Sequence, residues 1–152
     1  VRHTEAVRRS AFRGRVDKDR PLSQEGQEQA RRLIGVLGAF DVRKVYSSDA
    51  LRCLDTVRPY AHTVHAPVAH EPLLSEEGFD NAPAAAFTRL DQILGDWHPA
   101  VICSHRPVLP ALLEHLAGRL GVVAPQVELP TGGAVVFHRL DRKALAVEVV
   151  RL

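Results

Sequence analysis

Four short groups of polar residues carry the side chains able to do acid, base or nucleophilic chemistry in this 152-residue sequence: Arg2-His3, Ser47 to Arg52, Ser75-Glu76-Glu77 and Ser104-His105. Imidazoles titrate near neutrality, carboxylates can hold or give a proton, and a guanidinium presents a planar fork that grips phosphate or carboxylate. Seventeen of the 20 basic residues are Arg. Residues 1–20 hold seven of those 20 (Arg2, Arg8, Arg9, Arg13, Arg15, Lys18, Arg20) against three acids, a net +4, while the remaining surface is mixed and slightly acidic. One such cluster with a single Phe12 is not the long basic stripe with interleaved aromatics that a nucleic-acid polymer requires, and a small anion fits it better. Arg richness also follows from high genomic GC, so composition alone does not decide.

Several chemistries are missing. The sequence has no GxxxxGKS/T phosphate loop, no GxSxG elbow, no HExxH and no Nudix box. A cysteine phosphatase needs C-x5-R, but Leu109 stands six after Cys103 and Pro59 six after Cys53. His62, His65 and His70 have no cysteine or carboxylate at zinc-ligand spacing and read as solvated surface. The two cysteines are too few for a disulfide scaffold, so reduced thiols and a cytoplasmic location are expected. No apolar run approaches the roughly 20 residues of a membrane span, and no signal peptide is visible. With no Met anywhere, the chain is expected to be a fragment lacking its first strand or an upstream domain.

The elements that must position these residues follow from periodicity. Residues 4–22 are charged and aperiodic, a long loop of the kind that is usually functional. Ser23 caps a helix whose Ala30, Leu33, Ile34 and Leu37 form one stripe, ended by Gly38. Val42 to Ser47 reads as a strand, and Ser48 or Asp49 as the cap of a second helix that Pro59 kinks or shortens. A strand near 68–73, a helix from Pro83 closed by Gly95, a buried strand over Ala100 to Ser104 and a helix from Pro107 follow. Ala134 to Leu140 and Ala144 to Val150, joined by Asp141-Arg142-Lys143, form a hairpin, and Arg119 and Arg142 are placed on the outer surface. Strands alternating with amphipathic helices make a three-layer α/β/α sandwich with a largely parallel sheet and an antiparallel C-terminal edge. Ligands in such sheets bind beyond the carboxyl ends of the strands, and all four polar groups lie there.

In order, the chain reads VRHTEA, RPLSQEGQEQA, VYSSDALRCLDT, EPLLSEE and VICSHRPVLPALL. This series strongly resembles the histidine phosphatase superfamily, with its phosphoglycerate mutase-like fold, over about residues 1–116. The stretches RPLSQEGQEQA, LRCLDTVRPYA and EPLLSEEGFDNAP most resemble the C-terminal domains of bacterial proteins that join a Nudix hydrolase to a histidine phosphatase domain. The resemblance implies that His3 is the nucleophile, forming a phosphohistidine that water hydrolyses. It implies that Arg2, Arg52 and His105 bind the phosphoryl oxygens and that Glu76 is the proton donor, with neighbouring Glu77 an alternative acid. Arg9, six residues after His3, and Arg20, just before Pro21-Leu22-Ser23, are candidate phosphate contacts.

Each residue also has a plainer reading. Arg52 can pair with Asp49 or Asp55 on a solvated helix, Glu76 and Glu77 can form a charged turn, and His105 can cap a helix. Three departures from the family pattern bear on the substrate. Thr4 replaces the usual Gly after the Arg-His pair and adds a Cβ beside the phosphate. Arg106 follows His105 where Gly is common, and can narrow the mouth or grip a second phosphate. The strand that should run into His3 keeps only Val1 and Arg2. The expectation is a phosphatase, needing no metal or other cofactor, that acts on a small phosphorylated or pyrophosphorylated metabolite, such as a nucleotide. Its alternative is a noncatalytic phosphoanion-binding module attached to a Nudix-type hydrolase. A membrane or nucleic-acid partner is not expected; an upstream Nudix domain in the same polypeptide is.

Overall fold

In a computed structural model describing residues 1–96, 98–141 and 143–152, strands β1 (Lys44–Ser47), β2 (Val68–His70) and β3 (Ala100–Cys103) form a parallel sheet in the order β2-β1-β3. Among the described residues five α-helices accompany them: α1 (Gln24–Ala39), α2 (Leu51–Thr63), α3 (Glu76–Asn81), α4 (Pro83–Gly95) and α5 (Leu109–Leu120). The period-2 alternation of β3 explains the layers. Val101 and Cys103 face one core with Val45, Leu33 and Leu37 of α1 and Val57 and Tyr60 of α2. Ile102 faces a second core of Leu74, Leu90 of α4, and Val108 and Leu112 at α5. The sheet is thus covered on both sides, as a parallel sheet requires.

Residues 1–3 extend the sheet beyond β3. Val1 N donates to Ile102 O at 2.8 Å and His3 N to Ser104 O at 3.0 Å, while Arg2 makes a single parallel bridge with Ser104. Across the other edge Arg2 N donates to Gly133 O. Gly132, at φ +75°, turns the chain there into the antiparallel hairpin β4 (Ala134–Leu140) and β5 (Lys143–Val150). Arg142, assigned from sequence to the hairpin turn, lies outside the described residues. Among the described residues no helix is long and apolar enough to cross a membrane.

Some local expectations needed correction. The 4–22 loop contains two 3-10 turns, Arg9–Ala11 and Asp17–Asp19, and its two ends are joined by an antiparallel Ala6–Leu22 bridge. Ser23 does cap α1, accepting from Gly26 N at 3.0 Å, but the helix runs one residue past Gly38. A Cβ at Gly26 would stand 1.8 Å from Glu5 O, so the loop rests directly on the first turn of α1. Neither Ser48 nor Asp49 is the N-cap residue of α2; Ala50 is, with no side-chain cap, and α2 runs through Pro59 to Thr63. Burial of Val57, Tyr60 and Ala61 holds that final turn, and Tyr60 Oη donates to Val42 O at 2.8 Å. Residues 72–74 form a 3-10 turn in place of the end of β2, and α5 begins at Leu109 because 106–108 form a turn under the carbonyl of His105. Helix α3 is new: Ser75 Oγ accepts from Gly78 N at 2.9 Å, and Glu76 and Glu77 favour the positive end of the helix.

Candidate functional site

The carboxyl ends of β1 and β3, the start of α2, the start of α3 and residues 2–4 meet at one place. His3 is held there by its own chain: the Nδ1 lies 2.7 Å from Thr4 O. A hydrogen bond to a carbonyl requires Nδ1–H, which leaves Nε2 unprotonated with its lone pair available. Burial, reinforced by Arg52, Arg2 and Arg20, lowers the pKa of His3 to about 4. The ring of His105 stands edge-on to that of His3, with centroids 5.4 Å apart. It is 1% exposed, and burial together with Arg52 and His3 lowers its pKa to about 3. Both imidazoles are therefore neutral at pH 7, and the 3.4 Å approach of Glu76 Oε1 to His105 Nδ1 is not an ion pair.

Arg52 is the cationic centre of the cluster and is 3% exposed. It reaches the site from the first turn of α2. One terminal nitrogen faces Glu76 Oε1 at 3.2 Å and His105 Nδ1 at 3.3 Å; the other donates to the Asp17 carbonyl at 3.0 Å and meets the Asp17 carboxylate at 3.2 Å. The plainer reading of Arg52 fails, since Asp49 pairs with Lys18 and Asp55 with Arg58. The Nε groups of Arg52 and Arg2 are buried without a hydrogen-bond partner. Buried donors are nearly always paired in native structures, so each of these guanidiniums favours an anion as its missing acceptor. Arg2 otherwise donates to Leu129 O at 2.6 Å. Glu76 points into the cluster, whereas its neighbour Glu77 is exposed.

The remaining sequence candidates divide. Arg20 reaches Asp17 Oδ1 at 3.0 Å and Val7 O at 2.8 Å, and Arg9 reaches the same Asp17 oxygen at 3.1 Å from a solvent-exposed position. Arg106 is exposed and paired with Glu128 at 2.8 Å. With Arg2 it lines a cleft of about 390 Å³ between α5 and residues 124–129. Thr4 corrects its expectation. It is fully buried, its N–H donates to Thr56 Oγ1 at 2.9 Å and its hydroxyl lies 3.0 Å from the same oxygen. Its side chain therefore locks residues 3–5 to α2 instead of lining an anion pocket, and its contribution to the site is the carbonyl that orients His3.

Three further residues touch the cluster without having been singled out. Ser48 Oγ lies 2.8 Å from His105 Nε2, and Cys53 Sγ lies 3.5 Å from it. Ser48 belongs to the strand-end group Ser47 to Arg52, so its place was legible and its partner was not. Cys53 has its thiol pKa pushed well up by burial. Asp17 sat unremarked among the seven basic residues of 1–20. Among the described residues, no group of three or more His, Cys, Asp or Glu is placed to hold a metal ion.

With this geometry in hand, a family model described as the histidine phosphatase superfamily (branch 1) matches residues 1–98. An 8-oxo-(d)GTP phosphatase of Mycolicibacterium smegmatis is 40% identical over 114 residues, 75% of this chain and 35% of that protein. The chain thus spans about a third of the length of this curated relative. Among solved structures, SixA from Agrobacterium tumefaciens matches with a TM-score of 0.71 at 19% identity, over 97% of this chain and 94% of that one. A mycobacterial glucosyl-3-phosphoglycerate phosphatase in complex with VO3 matches at 0.66 and 18% identity, over 95% and 96%. At these identities the two structures speak for the fold.

Proposed function

Since the chain belongs to the histidine phosphatase superfamily, a family of phosphate-ester hydrolases, we propose that it hydrolyses a small phosphorylated or pyrophosphorylated metabolite through a phosphohistidine on His3. The observation that carries this reading is the state of His3, whose Nδ1 is tied to the Thr4 carbonyl while its ring is kept neutral in an arginine-rich pocket. Burial and the same positive charges that would attract a phosphoryl group keep a proton off the nucleophile.

In the first step His3 Nε2 bonds to phosphorus and the bond from phosphorus to the leaving oxygen breaks. Glu76 supplies the proton that oxygen needs. Arg2, Arg52 and His105 hold the three remaining oxygens, on which charge is spread in a loose transition state. Water then attacks phosphorus, Glu76 recovers a proton, and the bond to His3 breaks to release phosphate. Arg9, Arg20 and Arg106 stand farther out, where they would meet other groups of the substrate.

A nucleotide is the proposed substrate class, supported by the 40% identity to a protein named for action on 8-oxo-(d)GTP. The same relative, about three times the length matched here, supports the proposal that the chain is one domain of a longer polypeptide; that a Nudix-type domain stands upstream is proposed from the motif resemblance alone. The test is chemical. Acid-quenched protein after incubation with γ- or β-labelled nucleotide should carry an acid-labile, base-stable phosphate, absent from His3→Ala. Full turnover by His3→Ala would remove covalent catalysis.

A further inference from the structure

Asp17 brings one carboxylate against three guanidiniums. Its Oδ1 accepts from Arg9 Nε at 3.1 Å and Arg20 Nε at 3.0 Å, and its Oδ2 lies 3.2 Å from a terminal nitrogen of Arg52. Burial works against its charge, but Arg20, Arg52 and Arg9 more than compensate and lower its pKa. The carboxylate is therefore ionised at neutral pH. Arg52 belongs both to this group and to the His3–His105 cluster, where its other terminal nitrogen faces His105 and Glu76. One guanidinium thus separates two anion positions: an inner one beside the imidazoles, and an outer one filled by Asp17.

The segment carrying Asp17 is light. It is a single 3-10 turn with no buried residue, held by the Lys18–Asp49 ion pair just ahead of α2 and by the Asp17 contacts to Arg52 of α2. The Lys18–Asp49 and Arg9–Asp17 pairs have solvent-exposed cations and contribute at most about 1 kcal/mol each, whereas Arg52 and Arg20 are largely buried, so an anion that displaces the carboxylate must take over their donors. A phosphate presents more acceptor oxygens than a carboxylate and suits the arginine fork at least as well. A phosphoanhydride carries two phosphates that one shared guanidinium can contact together, and a phosphomonoester has only one.

We propose that Asp17 is a resident anion in a second phosphate position made by Arg9, Arg20 and the outer side of Arg52, and that a diphosphate displaces it. The proposal rests on His3 accepting the terminal phosphoryl group. As the His3–phosphorus bond forms, the bond from phosphorus to the bridging oxygen breaks. Its electron pair leaves on the oxygen of the departing phosphate, whose charge the three arginines of the outer position neutralise. A nucleoside diphosphate, cleaved to the monophosphate and inorganic phosphate, is then the preferred substrate class over a monoester.

Calorimetric titration of inorganic phosphate and of pyrophosphate into wild type, Asp17→Asn and Arg9→Ala tests this, with kcat/KM for ADP and for p-nitrophenyl phosphate measured alongside. Asp17→Asn keeps the size of the side chain and removes the competing charge. It should tighten pyrophosphate about tenfold and shift phosphate by clearly less, in line with the loss of one charged competitor. Arg9→Ala alters a solvent-exposed side chain and should weaken pyrophosphate at least fivefold more than phosphate. Wild type should favour ADP over the monoester. Equal effects on the two anions, or weaker pyrophosphate binding in Asp17→Asn, would overturn the proposal. If that happens while labelled phosphohistidine still forms on His3, the outer position alone fails. If no phosphohistidine forms, the nucleophile assignment beneath it fails as well.

Discussion

Lowering the pH from 7 to 5 should strip stability from this fold faster than its surface charges explain. His3 and His105 have folded-state pKa values of about 4 and about 3, against roughly 6.5 for an unperturbed imidazole. Both folded values lie below the unfolded one, so between pH 6.5 and pH 4 the unfolded chain binds protons that the folded chain does not. Stability rises with pH through that window and is lost as pH falls through it. At pH 5 each histidine is largely protonated when unfolded and largely neutral when folded, a difference of about 2 kcal/mol, or about 4 kcal/mol for the pair. That is a large part of the 5–15 kcal/mol that typically separates folded from unfolded chains. Urea unfolding followed by circular dichroism at half-unit intervals from pH 7 to 5 measures the slope. His3→Gln and His105→Gln should each remove about half of it. A flat wild-type profile, or a slope that survives in the double variant, would refute the account of two imidazoles buried neutral.

Two further outcomes follow from the same contacts. Arg52→Ala should weaken vanadate binding ten- to a hundredfold, the worth of one or two charge-assisted hydrogen bonds, with Arg52→Lys recovering only part. Arg119→Ala, on an exposed side chain paired with Asp91, should change vanadate binding by less than twofold, and equal losses at both positions would discount the cluster. Gly26→Ala should lower stability by about 1–3 kcal/mol in thermal or urea unfolding, because its Cβ would overlap the Glu5 carbonyl; an unchanged midpoint would show that the loop and α1 are not in firm contact.

The long elements were readable because their signals are local. The stripe Ala30, Leu33 and Leu37 buries one face of α1 as its spacing says, and Ser23 caps it. Boundaries failed where a residue had a tertiary partner that outweighed its local preference. Ser48, a good cap by type, is drawn to His105 Nε2, and Pro59 is carried inside α2 by the packing around it. The short α3 escaped notice because six residues cannot display a helical period, although Ser75 followed by two acids is a helix start.

For the site, the order of motifs along the chain was enough to name His3, Arg52, Glu76 and His105 and to expect them at strand ends, and the fold brings those four together. The sequence alone also assigned the family and the layered architecture, since both are written in residue types at fixed spacing. Only the tertiary structure decided which way each side chain turns. Thr4 faces Thr56 of α2 and not an anion, the imidazole of His3 is oriented by a carbonyl next to it, and Asp17 draws Arg9, Arg20 and Arg52 to one carboxylate. The Thr4–Thr56 and Asp17–Arg52 contacts join residues 52 and 35 positions apart, and the shorter-range ones hang on a single rotamer. Their energies depend on burial and on competing partners, which periodicity and motif spacing do not encode.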